Sequence, residues 1–411
     1  MERRPEELSG TYTAVSLFSG CGGLDLGVAQ AGFNVLASVE IDAHAVASLE
    51  NWTSLLRYRH RALHADILNV DPHQLMADLD LEPGQLDLLS GGPPCQSFSG
   101  IGFRRGLDDA RGLLLFEMAR FAEAFRPKAI LIEQVKGLIN FTGSDGQRVL
   151  ELLRERLHQL GYETSWSLLS AADYGVPQKR ERVIIVALRE QSPFIFPEPT
   201  HSAKPVNTLF GQLLPYRTVG DGLRGLDVPV RKGEPSNIPN HIDVTPERDR
   251  DRIRQVPEGE WLAAQLHLPV ELRGRLTRKD TTKYRRLSRA NPSLTLRCGE
   301  IHYHPLEDRY LTPREYLRLH GYPDWFELAG PIRSRTGRVK DLDQHRQVAN
   351  SVPPPLARAV ASGIHARLEN HLNAHSSGIT RVRDDRSVGN GIDQPASLPM
   401  PVLGSRMHGG Q

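Results

Sequence analysis

The chain has 411 residues, with 51 Lys and Arg against 49 Asp and Glu and a formal net charge of +2. That length buries a full core and suits two domains, while so small a net charge confines any nucleic-acid-binding surface to a local patch. Three scattered cysteines (Cys21, Cys95, Cys298) exclude a disulfide framework, the histidines show no metal-ligand spacing, and no apolar run reaches membrane-spanning length, so the expectation is a reduced, cytoplasmic protein without a metal. In the first half, short β-rich runs alternate with helical patterns, as in a sheet wrapped by helices. Thr13–Leu17 predicts a strand, Phe18-Ser19-Gly20-Cys21-Gly22-Gly23 a turn, and Leu24–Ala31 a helix. Glycines there let backbone approach a ligand closely, and the helix start adds partial positive charge. Their bunched spacing is not the G-x-G-x-x-G of a dinucleotide site.

Asn34–Val39 predicts the second strand, with Asp42 capping a helix that runs to about Trp52. Glu40 ends that strand about twenty residues past the glycines, the place of an acid that grips a ribose hydroxyl pair. Asp66 ends the next β-like run and suits an adenine amino group. With no P-loop lysine, a nucleoside sulfonium fits this order better than ATP. Leu86–Leu89 predicts a further strand, stopped by Ser90-Gly91-Gly92-Pro93-Pro94-Cys95-Gln96. Two glycines and two prolines restrict that turn, so the thiol is placed rather than packed. Further helices fit Leu113–Phe125 and Gln147–Leu160, and further strands Ala129–Ile132 and Val183–Leu188. Glu133 ends the first of these strands, and Gln178-Lys179-Arg180-Glu181-Arg182 leads into the second. Strand ends on one edge of a doubly wound sheet converge, which brings Cys95, Glu133 and the two arginines around one pocket.

Near Ser192 the pattern breaks: Pro193, Pro197, Pro199 and Pro205 open a long loop-rich module. Periodicity returns at Leu356–Leu368, a helix begun by Pro353-Pro354-Pro355. From Ala374 the chain is polar and glycine-rich. The expected layout is a catalytic and cofactor domain over 11–190, completed by 340–370, a second domain over 191–339, and a disordered tail over 374–411. The module holds a basic stretch, Arg273-Gly274-Arg275-Leu276-Thr277-Arg278-Lys279, continued by Lys283-Tyr284-Arg285-Arg286.

Six stretches together resemble the DNA (cytosine-5) methyltransferases of bacterial restriction–modification systems. They are Phe18–Gly23, Gly92-Pro93-Pro94-Cys95-Gln96, the Glu133 strand end, Gln178-x-Arg180-x-Arg182, Leu311-Thr312-Pro313-Arg314-Glu315 through Gly321-Tyr322-Pro323-Asp324, and Arg346–Pro353. All occur in family order between Thr13 and Leu368. The resemblance implies an α/β, doubly wound, Rossmann-like S-adenosylmethionine-dependent methyltransferase sheet with a loop-rich target-recognition domain. It implies Cys95 as nucleophile toward carbon 6 of cytosine, Glu133 at N3 and the N4 amine, Arg182 at the O2 side, and Arg180 and Gln178 in support. It assigns Phe18, Ser19, Gly20, Gly22, Gly23, Glu40, Ile41, Asp66, Ile67, Pro94, Leu114, Asn350, Ser351 and Val352 to S-adenosyl-L-methionine. Double-stranded DNA is the implied partner, with base flipping, a monomeric enzyme and a separately acting endonuclease. Arg278, Lys279, Arg285 and Arg286 are the expected phosphate contacts. The chain departs from the family at Gln134, where an asparagine is usual. Both side chains end in an amide, so an exchange to asparagine is expected to be tolerated. An RNA substrate, an inactive relative and a nicotinamide oxidoreductase are disfavoured by the length of the module, the retained Cys95 and arginines, and the glycine spacing.

Overall fold

Seven strands run through the centre of the fold in the order β3-β2-β1-β4-β5-β7-β6. They are β1 (Tyr12–Leu17), β2 (Phe33–Glu40), β3 (Arg61–His64), β4 (Leu88–Gly91), β5 (Ala129–Val135), β6 (Glu163–Ser170) and β7 (Glu181–Leu188). This computed structural model describes residues 3–94, 114–143, 146–190, 192–204, 207–208, 211–273, 281–299, 301–333 and 341–381. Strands β1 to β5 pair in parallel, whereas β7 lies antiparallel to both β5 and β6. The sequence pattern does not reveal β6 or this reversal. Its reason is the short link from Ser170 to Glu181, too short for the helical crossover that a parallel pair requires.

Helices α1 (Gly23–Gln30), α2 (Ala43–Thr53), α3 (Pro72–Asp78), α4 (Leu114–Phe125) and α5 (Val149–Gln159) connect the strands. Alternation along the strands separates two cores. Ala14, Val35, Leu88 and Leu131 pack with α1, while Val15, Leu17, Leu89, Ile130 and Ile132 pack with α4 and α5. Apolar residues therefore cover both faces, as a doubly wound sheet demands. Asp42 caps α2 by accepting from the Ala45 N–H at 2.9 Å.

Beyond β7 come two-residue strand pairs and the helices α6 (Val219–Leu223), α7 (Glu247–Arg254), α8 (Val270–Arg273), α9 (Pro313–Leu319) and α10 (Gln344–Asn350). Thr312 and Glu315 form a reciprocal capping box at α9, with Pro313 in its first turn. The buried Ile253, Leu287, Tyr303 and Tyr310 of this module share one apolar cluster with α1. Met1–Leu368 form one compact unit, and Glu369–Gln411 form a second. Helix α11 (Pro354–Arg381) corrects the expected tail: residues 374–381 are helical, and the remainder lies outside the described residues. No proline interrupts the chain between Pro355 and Pro395, so nothing stops the helix at Leu368.

Candidate active site

Register aligns the strand ends. Val39, Leu17, Gly91 and Ile132 form one row across β2, β1, β4 and β5. The next residues, Glu40, Phe18, Gly92 and Glu133, therefore share a second row along that edge, with Glu40 still paired to His64 and Glu133 to Ile184. Antiparallel β7 enters at that edge, with Arg182 opposite Val135. A cavity of about 460 Å³ lies over the edge, within the range of small-molecule sites.

At one end of the cavity are Glu40, Ile41, Asp66 and Ile67. Glu40 accepts from the N–H groups of Gly20 at 2.8 Å and of Ile41 and Asp42 at 2.9 Å. Burial pushes its pKa up, and these three N–H groups pull against that rise. Asp66 caps the following turn by accepting from Leu68 N–H at 3.1 Å. Phe18 and Gly20, both at φ +56°, bend the chain around the cavity rim. A left-handed phenylalanine costs energy and is a mark of functional sites. A Cβ on Gly20 would meet nothing within 4 Å, so bare backbone opens onto the cavity there.

At the other end are Gly92, Pro93, Pro94, Glu133, Gln134, Arg180 and Arg182, with Leu114 in the wall. Arg182 Nε lies 2.6 Å from Glu133 Oε1. Arg180 is fully buried, and its Nη2 donates to the carbonyls of Ala349 and Ser351, both at 2.9 Å. Burial, reinforced by the Arg182 charge and opposed by Glu133, lowers its pKa to about 9. Nε and Nη1 of Arg180 have no hydrogen-bond partner among the described residues. A buried cation with unused donors at a cavity wall is suited to an electron-rich ligand. Gln134 Nε2 donates to the Pro93 carbonyl at 2.5 Å. The amide thus ties β5 to the segment that leads into Cys95. Cys95 itself lies outside the described residues. Asn350, at the end of α10, and the following Ser351 and Val352 line the cavity beside the glycine turn, where Val352 lies against Gly23.

The C-5 cytosine-specific DNA methylase family model matches residues 12–366. The chain belongs to that family. This DNA cytosine-5 methyltransferase is 35% identical over 387 residues to Type II methyltransferase M.PspPI of Psychrobacter sp. (strain TA137), a match covering 88% of this chain and 81% of the relative. Identity to Type II methyltransferase M.Eco47II of Escherichia coli is 34%, covering 86% and 78% of the two chains. A crystal structure of a prophage-encoded E. coli DNA modification methyltransferase shares the fold, with TM-score 0.63, 23% identity, and coverage of 87% of this chain and 100% of that one. Among the described residues, no helix of the methyltransferase is long and apolar enough to cross a membrane.

Several residues of the methyltransferase stand elsewhere than the sequence suggests. Gly22 and Gly23 do not line the cavity. A Cβ would fall 2.6 Å from Leu49 Cδ1 at Gly22 and 2.3 Å from the Val352 carbonyl oxygen at Gly23, so both serve close packing of α1. Gln178 is also buried away from the cavity. Its Nε2 meets the Leu319 carbonyl and His320 Nδ1, and its Oε1 accepts from Leu296 N–H, which makes it a clamp between β7 and the module.

The expected phosphate contacts fare similarly. Arg286 is buried, donating to the Ile253 carbonyl at 2.7 Å and pairing with Asp308 at 2.8 Å. Arg285 donates to the carbonyls of Gly259 and Thr281 and lies over the Trp261 ring. Arg286 is committed inside the protein, Arg285 is half-buried with its guanidinium bonded to backbone carbonyls, and Arg278 and Lys279 lie outside the described residues. A second groove, of about 830 Å³, presents Arg248, Arg252, Arg333 and Arg346 instead, and Arg346 borders the first cavity as well. No motif distinguishes Arg248, Arg252 and Arg333 from other arginines; Asp249, Glu271 and Asp343 line the same groove, and Asp249 pairs with Arg252 at 3.0 Å. Arg346 heads one of the stretches that resemble the family and could have been found. Cys298 is exposed with its Sγ 2.6 Å from Asn350 Oδ1.

Proposed function

We propose that the cavity binds S-adenosyl-L-methionine and that the enzyme methylates carbon 5 of a flipped cytosine through a covalent Cys95 adduct, as the modification enzyme of a restriction–modification system. One observation carries this reading: a single cavity joins the acids Glu40 and Asp66 to Glu133, Arg180 and Arg182. Glu40 and Asp66 would hold the ribose and adenine, and Phe18, Gly20, Pro94, Leu114 and Asn350–Val352 would enclose the remainder. When bound, the cofactor supplies an electrophilic methyl group.

The protein's part begins with the Cys95 thiolate, which adds to carbon 6 of cytosine and makes carbon 5 nucleophilic. Glu133 accepts from the N4 amine and shares a proton with N3, where negative charge builds as the thiolate adds. Its pairing with Arg182 keeps the carboxyl group aimed along the cavity, and the Arg182 charge favours the O2 side. After methyl transfer, solvent water takes the carbon-5 proton, the electron pair of that bond restores the carbon 5–carbon 6 double bond, and the carbon–sulfur bond breaks to free Cys95 as its thiolate. The target base must leave the duplex to reach such a site. The arginine groove that meets the cavity at Arg346 suits the phosphates on either side of it.

Duplex DNA with 5-fluorocytosine at the modified position tests the mechanism, because fluorine cannot leave as a proton does. Wild-type enzyme should form a denaturation-resistant complex that Cys95→Ser does not. Methyl transfer without trapping, or Cys95→Ser turnover near wild type, would refute it. Bisulfite sequencing of DNA from expressing cells would give the modified sequence.

A further inference from the structure

A buried carboxylate beside the cavity has no part in the chemistry above. Asp25, in the first turn of α1, is fully buried. Ser16 Oγ on β1 donates to its Oδ1 at 2.6 Å, and Ser38 Oγ on β2 donates to its Oδ2 at 2.5 Å. Ser19 Oγ in turn donates to Ser16 Oγ at 3.0 Å. Three hydroxyl protons are thus drawn toward one carboxylate, two of them in series.

A serine hydroxyl has one proton and two lone pairs. The proton of Ser19 is committed inward, its N–H to the Val39 carbonyl and its C=O to the Gly22 N–H. Ser19 also lines the cavity, so acceptor lone pairs are what it offers there. Burial raises the Asp25 pKa, opposed by the serine hydroxyls and by His60. The Ser19–Ser16–Oδ1 direction holds for the carboxylate and also for the acid whose proton sits on Oδ2.

Strand order identifies the part of the ligand that meets Ser19. Asp66 follows β3, Glu40 ends β2, Ser19 follows β1, Gly92 follows β4, and Glu133 lies near the end of β5. A nucleoside sulfonium with its adenine at Asp66 and ribose at Glu40 brings its amino-acid arm to the end of β1 as its methyl faces the β4–β5 side. That arm carries a carboxylate and an ammonium, and only the ammonium can donate.

We propose that Asp25, acting through Ser16, holds Ser19 as the hydrogen-bond acceptor for the α-ammonium group of the cofactor's amino-acid arm, an inference that rests on the cofactor assignment above. Asp25 and Ser16 are then positioning residues, and Ser19 makes the contact. Low-barrier alternatives are unnecessary: ordinary hydrogen bonds in a dry site suffice to fix the polarity.

Isothermal titration of the full chain with S-adenosylhomocysteine and with its desamino analogue tests the assignment without turnover. Wild type should prefer the amine-bearing ligand by about tenfold, the scale of one hydrogen bond to a charged group. Ser19→Ala and Ser16→Ala should each erase that preference by weakening only the amine-bearing ligand. Ser19→Thr keeps the hydroxyl and should retain it. Equal wild-type affinity for the two ligands, or equal weakening of both in Ser19→Ala, would overturn the ammonium contact and leave the cofactor assignment standing. Binding of neither ligand to wild type would refute the cofactor assignment itself.

Discussion

Shortening Gln134 by one methylene is a direct test of how the catalytic segment is held. Gln134 is 1% exposed, and its Nε2 lies 2.5 Å from the Pro93 carbonyl oxygen. Asparagine at this position withdraws the amide by about 1.5 Å, one carbon–carbon bond, which puts the pair beyond hydrogen-bonding distance. The exchange to the family's usual residue is therefore expected to lower the rate, although both side chains end in an amide. A buried carbonyl left unpaired costs about 1–3 kcal/mol, equivalent to roughly 5- to 150-fold if it falls on the barrier. Pro93 lies two residues before Cys95, so the loss should appear in the single-turnover rate of methyl transfer, with cofactor affinity little changed. Gln134→Glu keeps the length but removes the donor, and should lose as much. The assay is rapid-quench transfer of a labelled methyl group to duplex DNA, with calorimetric cofactor binding measured alongside. Unchanged rates for Gln134→Asn would refute the claim that this bond holds the segment.

Other outcomes follow from the same geometry. Glu133→Gln should reduce methyl transfer by about 10²- to 10⁴-fold, the usual scale for a lost acid–base group, while calorimetric binding of the cofactor product persists. Arg286→Met should destabilise the fold by about 1–3 kcal/mol, because the Ile253 carbonyl loses a charged donor while Asp308 keeps Arg254, yet the salt dependence of DNA binding should match wild type. Neutralising Arg248 or Arg333 should instead flatten the log–log salt slope by about one unit for each phosphate no longer engaged; an unchanged slope would remove these residues from the DNA path. Acid should loosen the module that follows β7 through His302, whose pKa burial lowers from 6.5 to about 4. A depressed histidine contributes stability that is complete above pH 6.5 and is lost as pH falls toward 4, by about 3 kcal/mol. Thermal melts across that window should show the loss, and His302→Phe should lessen its slope.

The placement of contiguous residues was legible in the sequence. The glycine turn, Glu40 at the end of β2, Glu133 near the end of β5, Pro93 and Pro94 after β4, and Arg180 ahead of β7 depend on local backbone geometry and strand polarity, and both are written in short stretches of chain. The doubly wound architecture was legible for the same reason, since alternating apolar runs and helix caps are nearest-neighbour properties. Only the tertiary structure decided which polar residues face the cavity. Gln178 and Arg286 carry the same side chains whether they serve a ligand or a distant carbonyl, and the partners that claim them lie far away in sequence: Leu296 and Leu319 for Gln178, Ile253 and Asp308 for Arg286. Gly22 and Gly23 have the spacing of ligand-contact glycines, yet α2 and the Val352 carbonyl fill the space beside them. Asp25 shows the converse. Its residue type suggests a surface charge, and two serines on neighbouring strands, with a third beyond them, bury it as the end of a hydrogen-bond chain. Sequence specifies what a side chain can donate or accept, and packing determines which partner reaches it first.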